Sequence, residues 1–253
     1  MTETPELGML DQTEAARSSF SQVTLPTGLL DEEGKLHNSV LLNEMTGEEE
    51  DILASNRMTA VQKTSLILEN CVQAIGPFGK ENEKLKHYIK SLSLNDRLFL
   101  LIQIRVISLG ESFNFKIACP SCAKSSNQTV TLNDFKVVGL ADPYRQTWSG
   151  ELPRSKKKYE CKIQNGYDED NQKNINEDDI LSSIIMTRLK KLDDKNVTMS
   201  AVKKLPVADR NHLRAEMKDA EGSIDNKLEI NCPHCKFEFE SEIDIGNASF
   251  FFP

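Results

Sequence analysis

The chain has 253 residues, a mass of 28.5 kDa, and 31 basic against 39 acidic residues, for a net charge of −8. That length allows one large domain or two of about 100–130 residues, each able to hold a core. A pI near 5.2 argues against a general nucleic-acid binder, because backbone affinity comes from Lys and Arg neutralising phosphates. No run reaches the ~18 apolar residues of a membrane span, and no basic region followed by an apolar stretch marks a secretory signal.

Residues 1–20 are polar, acidic and aperiodic and read as a flexible arm. Val23–Leu25 reads as a strand, Pro26-Thr27-Gly28 and Asp31–Lys35 as turns, and Ser39–Leu42 as a partner strand. Thr46-Gly47-Glu48-Glu49 has the capping-box form, in which the Thr46 hydroxyl and the Glu49 carboxylate satisfy each other's backbone N–H. A second helix is expected over Thr59–Ile75, ended by Gly76-Pro77, and a third over Asn95–Leu109, stopped by Gly110. Phe113–Ile117 and Gln128–Leu132 alternate as strands around Cys119-Pro120-Ser121-Cys122. In the second half, Tyr159–Ile163 reads as a strand. Glu177–Leu192, a short stretch from Thr198, and Ala208–Glu221 read as helices. Alternating segments then flank Cys232-Pro233-His234-Cys235.

The halves resemble each other. Leu-Pro occurs at 25–26 and 152–153, Glu50–Ser55 resembles Asp178–Ser183, and Asp96-Arg97 recurs as Asp209-Arg210. The step from Asp96 to Cys119 and from Asp209 to Cys232 is 23 residues in both cases. A shift of 113 residues carries Leu213, Met217 and Ala220 onto Leu100, Ile104 and Ile107, so one apolar helix face recurs. The expected architecture is α+β. It has an arm (1–20) and two pseudo-symmetric repeats (21–140 and 141–253), each with a β-hairpin, helices and a CPxC-bearing hairpin. The first of the matched helices is apolar all round, with Phe99, Leu101, Ile102 and Val106 where its counterpart has His212, Arg214, Ala215 and Asp219. Such a helix is buried on every side. Either it packs within the chain, or Phe99, Ile102 and Val106 form a partner-binding face. The terminal Phe250-Phe251-Phe252 has the same two readings, core or partner anchor.

Of the six cysteines, Cys119, Cys122, Cys232 and Cys235 have the spacing of a tetrahedral Cys₄ site for a structural Zn²⁺. The long gap between the pairs fits a split zinc ribbon, built from the two hairpins of the two repeats. A redox dithiol is the rival reading, and it lacks the helix that follows CxxC in thioredoxin-like proteins. Cys71 and Cys161 fall on apolar positions and read as packing residues, and His234 reads as a solvent-facing knuckle residue. No phosphate-loop, dinucleotide, zinc-protease or serine-hydrolase motif is present, and His37, His87 and His212 stand alone. No catalytic residue and no small-molecule substrate is expected, and the acidic Glu48–Asp51 run suits a helix N-terminus. Lys156-Lys157-Lys158 reads as an exposed turn.

The Leu25-Pro26-Thr27-Gly28 turn, the Glu44-Met45-Thr46-Gly47-Glu48-Glu49-Glu50-Asp51-Ile52-Leu53 block, and an Asp96-Arg97 apolar helix running into a CPxC hairpin together resemble the T-even-type bacteriophage baseplate protein family. The resemblance is best over residues 20–135. It implies a non-enzymatic virion role in the central hub of a contractile-tail baseplate. The partners would be other baseplate and tail proteins, after assembly in the host cytoplasm. Two alternatives stay open: a hub assembly chaperone absent from the finished particle, and a zinc-ribbon factor that binds nucleic acid.

Overall fold

The computed structural model describes residues 20–171, 179–245 and 248–251. Residues 1–19, which are all but the last residue of the expected arm, and residues 172–178, 246–247 and 252–253 lie outside the described residues.

The elements of the first half are β1 (Ser21–Leu30), β2 (Leu36–Leu42), α1 (Gly47–Ala54), α2 (Ala60–Cys71), β3 (Val72–Ile75), β4 (Phe78–Gly79), α3 (Leu85–Ser91), α4 (Leu94–Leu109), β5 (Ser112–Ala118), β6 (Ser125–Thr131) and β7 (Lys136–Val138). The second half has β8 (Thr147–Glu151), β9 (Lys158–Lys162), α5 (Gly166–Asn171), α6 (Ile180–Met186), β10 (Leu189–Leu192), β11 (Lys195–Asn196), α7 (Met199–Lys203), α8 (Val207–Glu221), β12 (Ser223–Asp225), β13 (Lys227–Asn231), β14 (Glu238–Glu242) and α9 (Ala248–Phe251). The fold is therefore α+β. Two antiparallel four-stranded sheets run in the orders β1-β2-β3-β4 and β8-β9-β10-β11. Two hairpins, β5-β6 and β13-β14, stand apart from them, and β7 pairs with β12 across the halves.

Three segments differ from the sequence reading. The Pro26-Thr27-Gly28 tripeptide does not end a strand: β1 runs through it, with a register shift between Thr24 and Leu29 and Gly28 at φ +100°. A side chain there would meet the carbonyl of His37 at 3.1 Å, so glycine fits both the backbone and the space. The helix expected to reach Ile75 stops at Cys71, and Val72–Ile75 is a strand paired with β2. The helix expected over Glu177–Leu192 is likewise shorter: α6 spans Ile180–Met186, and Leu189–Leu192 is a strand paired with β9. In both places the large apolar residues stand at i and i+3, a helical spacing, and pairing with the neighbouring strand overrides it. The capping box at Thr46 and Glu49 forms as expected.

Buried apolar side chains form two clusters. One runs from Leu25 to Phe135 and also takes in Ile243, Ile245, Phe250 and Phe251. The other lies between Leu140 and Met217. The C-terminal segment thus crosses back into the first core. Arg105, buried on α4, donates to the carbonyls of Phe250, Gly110 and Ser112, and its guanidinium lies 5.4 and 5.7 Å from the ring centres of Phe113 and Phe250. This placement corrects the docking reading for three residues: Ile102, Phe250 and Phe251 are at most 3% exposed and belong to the chain's own core. Phe99 and Val106 are half-buried against the same core. The apolar circumference of α4 is explained by α2 and β1 on one side and the returning C-terminus on the other. Phe252 lies outside the described residues.

Helix α4 is tied down at its start by a buried carboxylate. Asp96 accepts from the N–H of Thr27 at 2.9 Å and of Gly28 at 3.2 Å. In the second half Asp209 accepts from the N–H of Arg154 at 2.7 Å and of Ser155 at 3.0 Å, the two residues after the other Leu-Pro. A carboxylate holding two backbone donors is a charge-assisted pair of bonds. Next to these, Arg97 donates to Ser65 on α2 and Arg210 donates to Ser182 on α6, both at 3.0 Å. By that match α6 is the counterpart of α2. The resemblance of Asp178–Ser183 to Glu50–Ser55, on α1, is therefore not the spatial correspondence.

Candidate metal centre

Each cysteine pair sits at the tip of a two-stranded hairpin. The β5-β6 register runs from Ser112↔Thr131 to Ala118↔Ser125, so Cys119 and Cys122 lie in the turn that joins the two strands. The β13-β14 ladder closes at Asn231↔Glu238 beside Cys232 and Cys235.

The two tips are built alike. The N–H of Cys119 donates to the carbonyl of Lys124 at 3.0 Å and the N–H of Ala123 to the carbonyl of Cys119 at 2.9 Å. Cys232 and Lys236 repeat this, with Cys232 donating to Phe237 and Lys236 to Cys232, both at 2.9 Å. Ala123 and Lys236 both take the left-handed conformation, at φ 58° and 63°. That kink turns the chain tightly enough for both thiols of a pair to face one point.

All four sequence-predicted ligands come together. The sulfurs of Cys119, Cys122, Cys232 and Cys235 lie within 4.8 Å of one another. Cys119 Sγ is 3.7 Å from Cys235 Sγ, and Cys122 Sγ is 3.8 Å from Cys232 Sγ. Four thiolates at ~2.3 Å around a tetrahedral ion stand about 3.8 Å apart, so these spacings match a metal shell. They are far from the ~2.05 Å of a disulfide, and all six cysteines are free thiols.

The electrostatics also favour a cation. Backbone N–H groups of Cys235 and His234, and the Cys119 and Cys235 thiols, outweigh desolvation and bring the Cys232 thiol down to about 6. At Cys122 the Lys124 N–H favours the thiolate, but desolvation and the three other sulfurs push it to about 11. One thiolate forms readily, and each further negative charge meets the first. A divalent cation at the centre removes that conflict.

The remaining cysteines do something else. Cys71 and Cys161 are buried in the two cores, and desolvation pushes each to about 12. His234 is exposed, with Nε2 3.4 Å from the carbonyl of Ser125 on the opposite hairpin. His37 is not alone: its Nε2 lies 2.7 Å from the Asp31 carboxylate, beneath Phe78. Among the described residues no other set of three or more His, Cys, Asp or Glu side chains gathers tightly enough to hold an ion, and no helix is long and apolar enough to cross a membrane.

Sequence reasoning missed the Asp96 and Asp209 clamps. Their signal was present as the recurring Leu-Pro and Asp-Arg pairs, which each half brings into contact. It also missed the tie between the halves made by α5: Glu169 accepts from Arg97 at 2.9 Å, Lys90 pairs with Asp170 at 2.9 Å, and His87 Nδ1 lies 2.8 Å from the Tyr167 hydroxyl.

No curated protein and no solved structure matches the chain. A family described as "T4 bacteriophage base plate protein" matches residues 30–252, which takes in all strands of the two sheets except β1, both hairpins and all four clustered cysteines. The chain therefore belongs to the T4 bacteriophage base plate protein family.

Proposed function

We propose that the chain is a non-enzymatic structural component of the central hub of a contractile-tail baseplate, made of two copies of one ancestral unit locked together by a shared structural Zn²⁺. The family match over both halves carries the baseplate reading. The Cys₄ geometry supports the ion. A closed shell of four thiolates leaves no position for water, so the ion acts as a cross-link between residues 119 and 235 and not as a Lewis acid.

The duplication draws on matched structure. The sheets share one strand order, the Asp clamps bind equivalent N–H pairs, and a shift of 113 residues carries α4 onto α8. The units divide near residue 140, where one buried cluster gives way to the other. The arm, residues 1–20, and the exposed faces of the sheets and helices would contact neighbouring tail proteins, after folding in the host cytoplasm.

Quantitative metal analysis of the purified chain, together with its copy number in purified particles, tests the reading. One Zn²⁺ per chain and a fixed copy number are expected. A metal-free native protein would remove the ion. A chain absent from finished particles would point to an assembly chaperone. Salt-sensitive binding to DNA or RNA would point to a nucleic-acid factor, against which stands the β13-β14 face carrying Glu229, Glu238, Glu240 and Glu242.

A further inference from the structure

In the first half, α1 lies across α2. The Lys63 ammonium donates to the carbonyl of Leu53 near the end of α1, and Asn70 donates to Glu49 near its start. The two helices run antiparallel, and α1 covers the Lys63–Ile67–Asn70 side of α2, where Ile67 is 1% exposed. A shift of 117 residues carries β3 onto β10, β4 onto β11, and Ser65 onto Ser182. The same shift carries Lys63, Thr64 and Ile67 onto Ile180, Leu181 and Ile184. Nothing among the described residues covers these three, and they are 51%, 58% and 37% exposed.

The reason lies in α5. It follows β9 as α1 follows β2, but its Tyr167, Glu169 and Asp170 are spent on His87, Arg97 and Lys90 of the first half. Residues 172–178, which lead into α6, contain one apolar residue, Ile175. The chain leaving α6 is basic: Arg188, Lys190 and Lys191 stand where the first half has Cys71, Gln73 and Ala74. Arg188 and Lys190 also hold Glu221 and Glu160, and Lys191 is exposed.

We propose that the Ile180–Leu181–Ile184 face of α6 docks an amphipathic helix of a neighbouring tail protein, laid antiparallel to α6 as α1 lies on α2. The antiparallel placement puts the first turn of the incoming helix over Arg188, Lys190 and Lys191. Acidic residues favour a helix N-terminus, and α1 itself starts with Glu48, Glu49 and Glu50. The bound helix therefore has an acidic first turn and an apolar stripe at i, i+3 or i+4. The proposal rests on the baseplate reading.

The experiment places a photoreactive benzoylphenylalanine at Leu181 of the full chain, assembles particles, irradiates them and sequences the cross-linked peptide. A segment of a different tail protein with that acidic and apolar pattern is expected. A cross-link only to residues 1–19, a cross-link only to a second copy of this chain, or no cross-link would overturn the docking. Alongside, Leu181→Asp with Ile184→Asp is expected to leave melting unchanged and to lower incorporation into particles about tenfold or more. Unchanged incorporation overturns the proposal, and Ile180→Lys stands in if the double variant folds poorly. Wild-type chain missing from particles defeats the baseplate reading and this proposal together. Wild-type chain present, with the Leu181-labelled chain incorporated but not cross-linked, defeats only the docking.

Discussion

Helices α4 and α8 start alike and end in different surroundings. Each is fixed by an aspartate on the two N–H groups after Leu-Pro, and each runs into a cysteine hairpin. Helix α4 is then enclosed, with Arg97, Leu101, Ile102 and Arg105 all buried, whereas α8 buries Asp209, Leu213 and Met217. The first half borrows its extra cover from the second: α5 closes over Arg97, and the C-terminal turn closes over Arg105. The lesson is that one architecture serves two roles. The first half is the packed centre. The second half, having lent out its covering pieces, keeps bare surface.

The proposed Zn²⁺ tests whether the halves are energetically one object. With the proposed Zn²⁺ shared by both hairpins, Cys119→Ser and Cys232→Ser should each abolish zinc binding and cost on the order of 5 kcal/mol or more, and by the same amount. Chelator-induced shifts in melting temperature, with metal counted in each variant, check this. Unequal losses would mean that the hairpins fold separately.

Arg97 and Arg210 sharpen the contrast next. Arg97 is buried and donates to Glu169, Ser65 and the Ile89 carbonyl, while burial raises the Glu169 carboxyl despite that partner. Arg97→Ala leaves a mostly buried carboxylate without its cation and should cost about 3–5 kcal/mol. Arg210→Ala loses a bond to a neutral hydroxyl and should cost about 1 kcal/mol. Denaturant midpoints of the two variants give the comparison directly.

The aspartate clamps should respond to pH with opposite signs. Burial pushes Asp96 up to about 6, against the N–H groups of Thr27 and Gly28 and the Ser93 hydroxyl. At Asp209 burial also opposes the charge, but the Ser155 hydroxyl and the Arg154 and Ser155 N–H groups outweigh it and hold the carboxyl below its usual range. Between about pH 4 and 6 the native state therefore keeps a proton on Asp96 that the unfolded chain has lost. Stability falls as pH rises through that window, by about 2–3 kcal/mol in total. Asp209 contributes stability that is full above about pH 4 and is lost as pH falls below it. Asp96→Asn should flatten the first slope and Asp209→Asn the second. Urea midpoints measured from pH 3 to 7 separate them.

What the residues revealed in advance follows from how local each signal is. The CPxC hairpins and the α4 and α8 helices were legible because cap, apolar face and cysteines sit in one ungapped block. Strands β3 and β10 were not, because Val72–Ile75 and Leu189–Leu192 extend helical runs and only pairing with β2 and β9 makes them strands. The clamp was half legible. Leu-Pro and Asp-Arg were visible as repeats, but 69 residues separate Thr27 from Asp96, and nothing local joins them. The reach of α5 into the first half was illegible, since Gly166–Asp170 carries no apolar stripe and its place is set by Arg97, His87 and Lys90.

The smallest effect tests the point at which the halves should be most alike. Ala123 and Lys236 each follow the second cysteine of a pair, and each holds a left-handed backbone with a side chain attached. That conformation crowds Cβ against the following carbonyl and costs roughly 1 kcal/mol or more for a residue other than glycine. Glycine removes the crowding but gives up more freedom on folding, about 0.5–1 kcal/mol. Ala123→Gly and Lys236→Gly should therefore each raise stability by about 0.5 kcal/mol in the zinc-loaded chain, with equal sign and similar size. Both tips close with the same pair of backbone bonds, so a gain at one and a loss at the other would show that they are strained differently. In that case the shared centre would be a convergence of two unlike turns instead of one turn used twice.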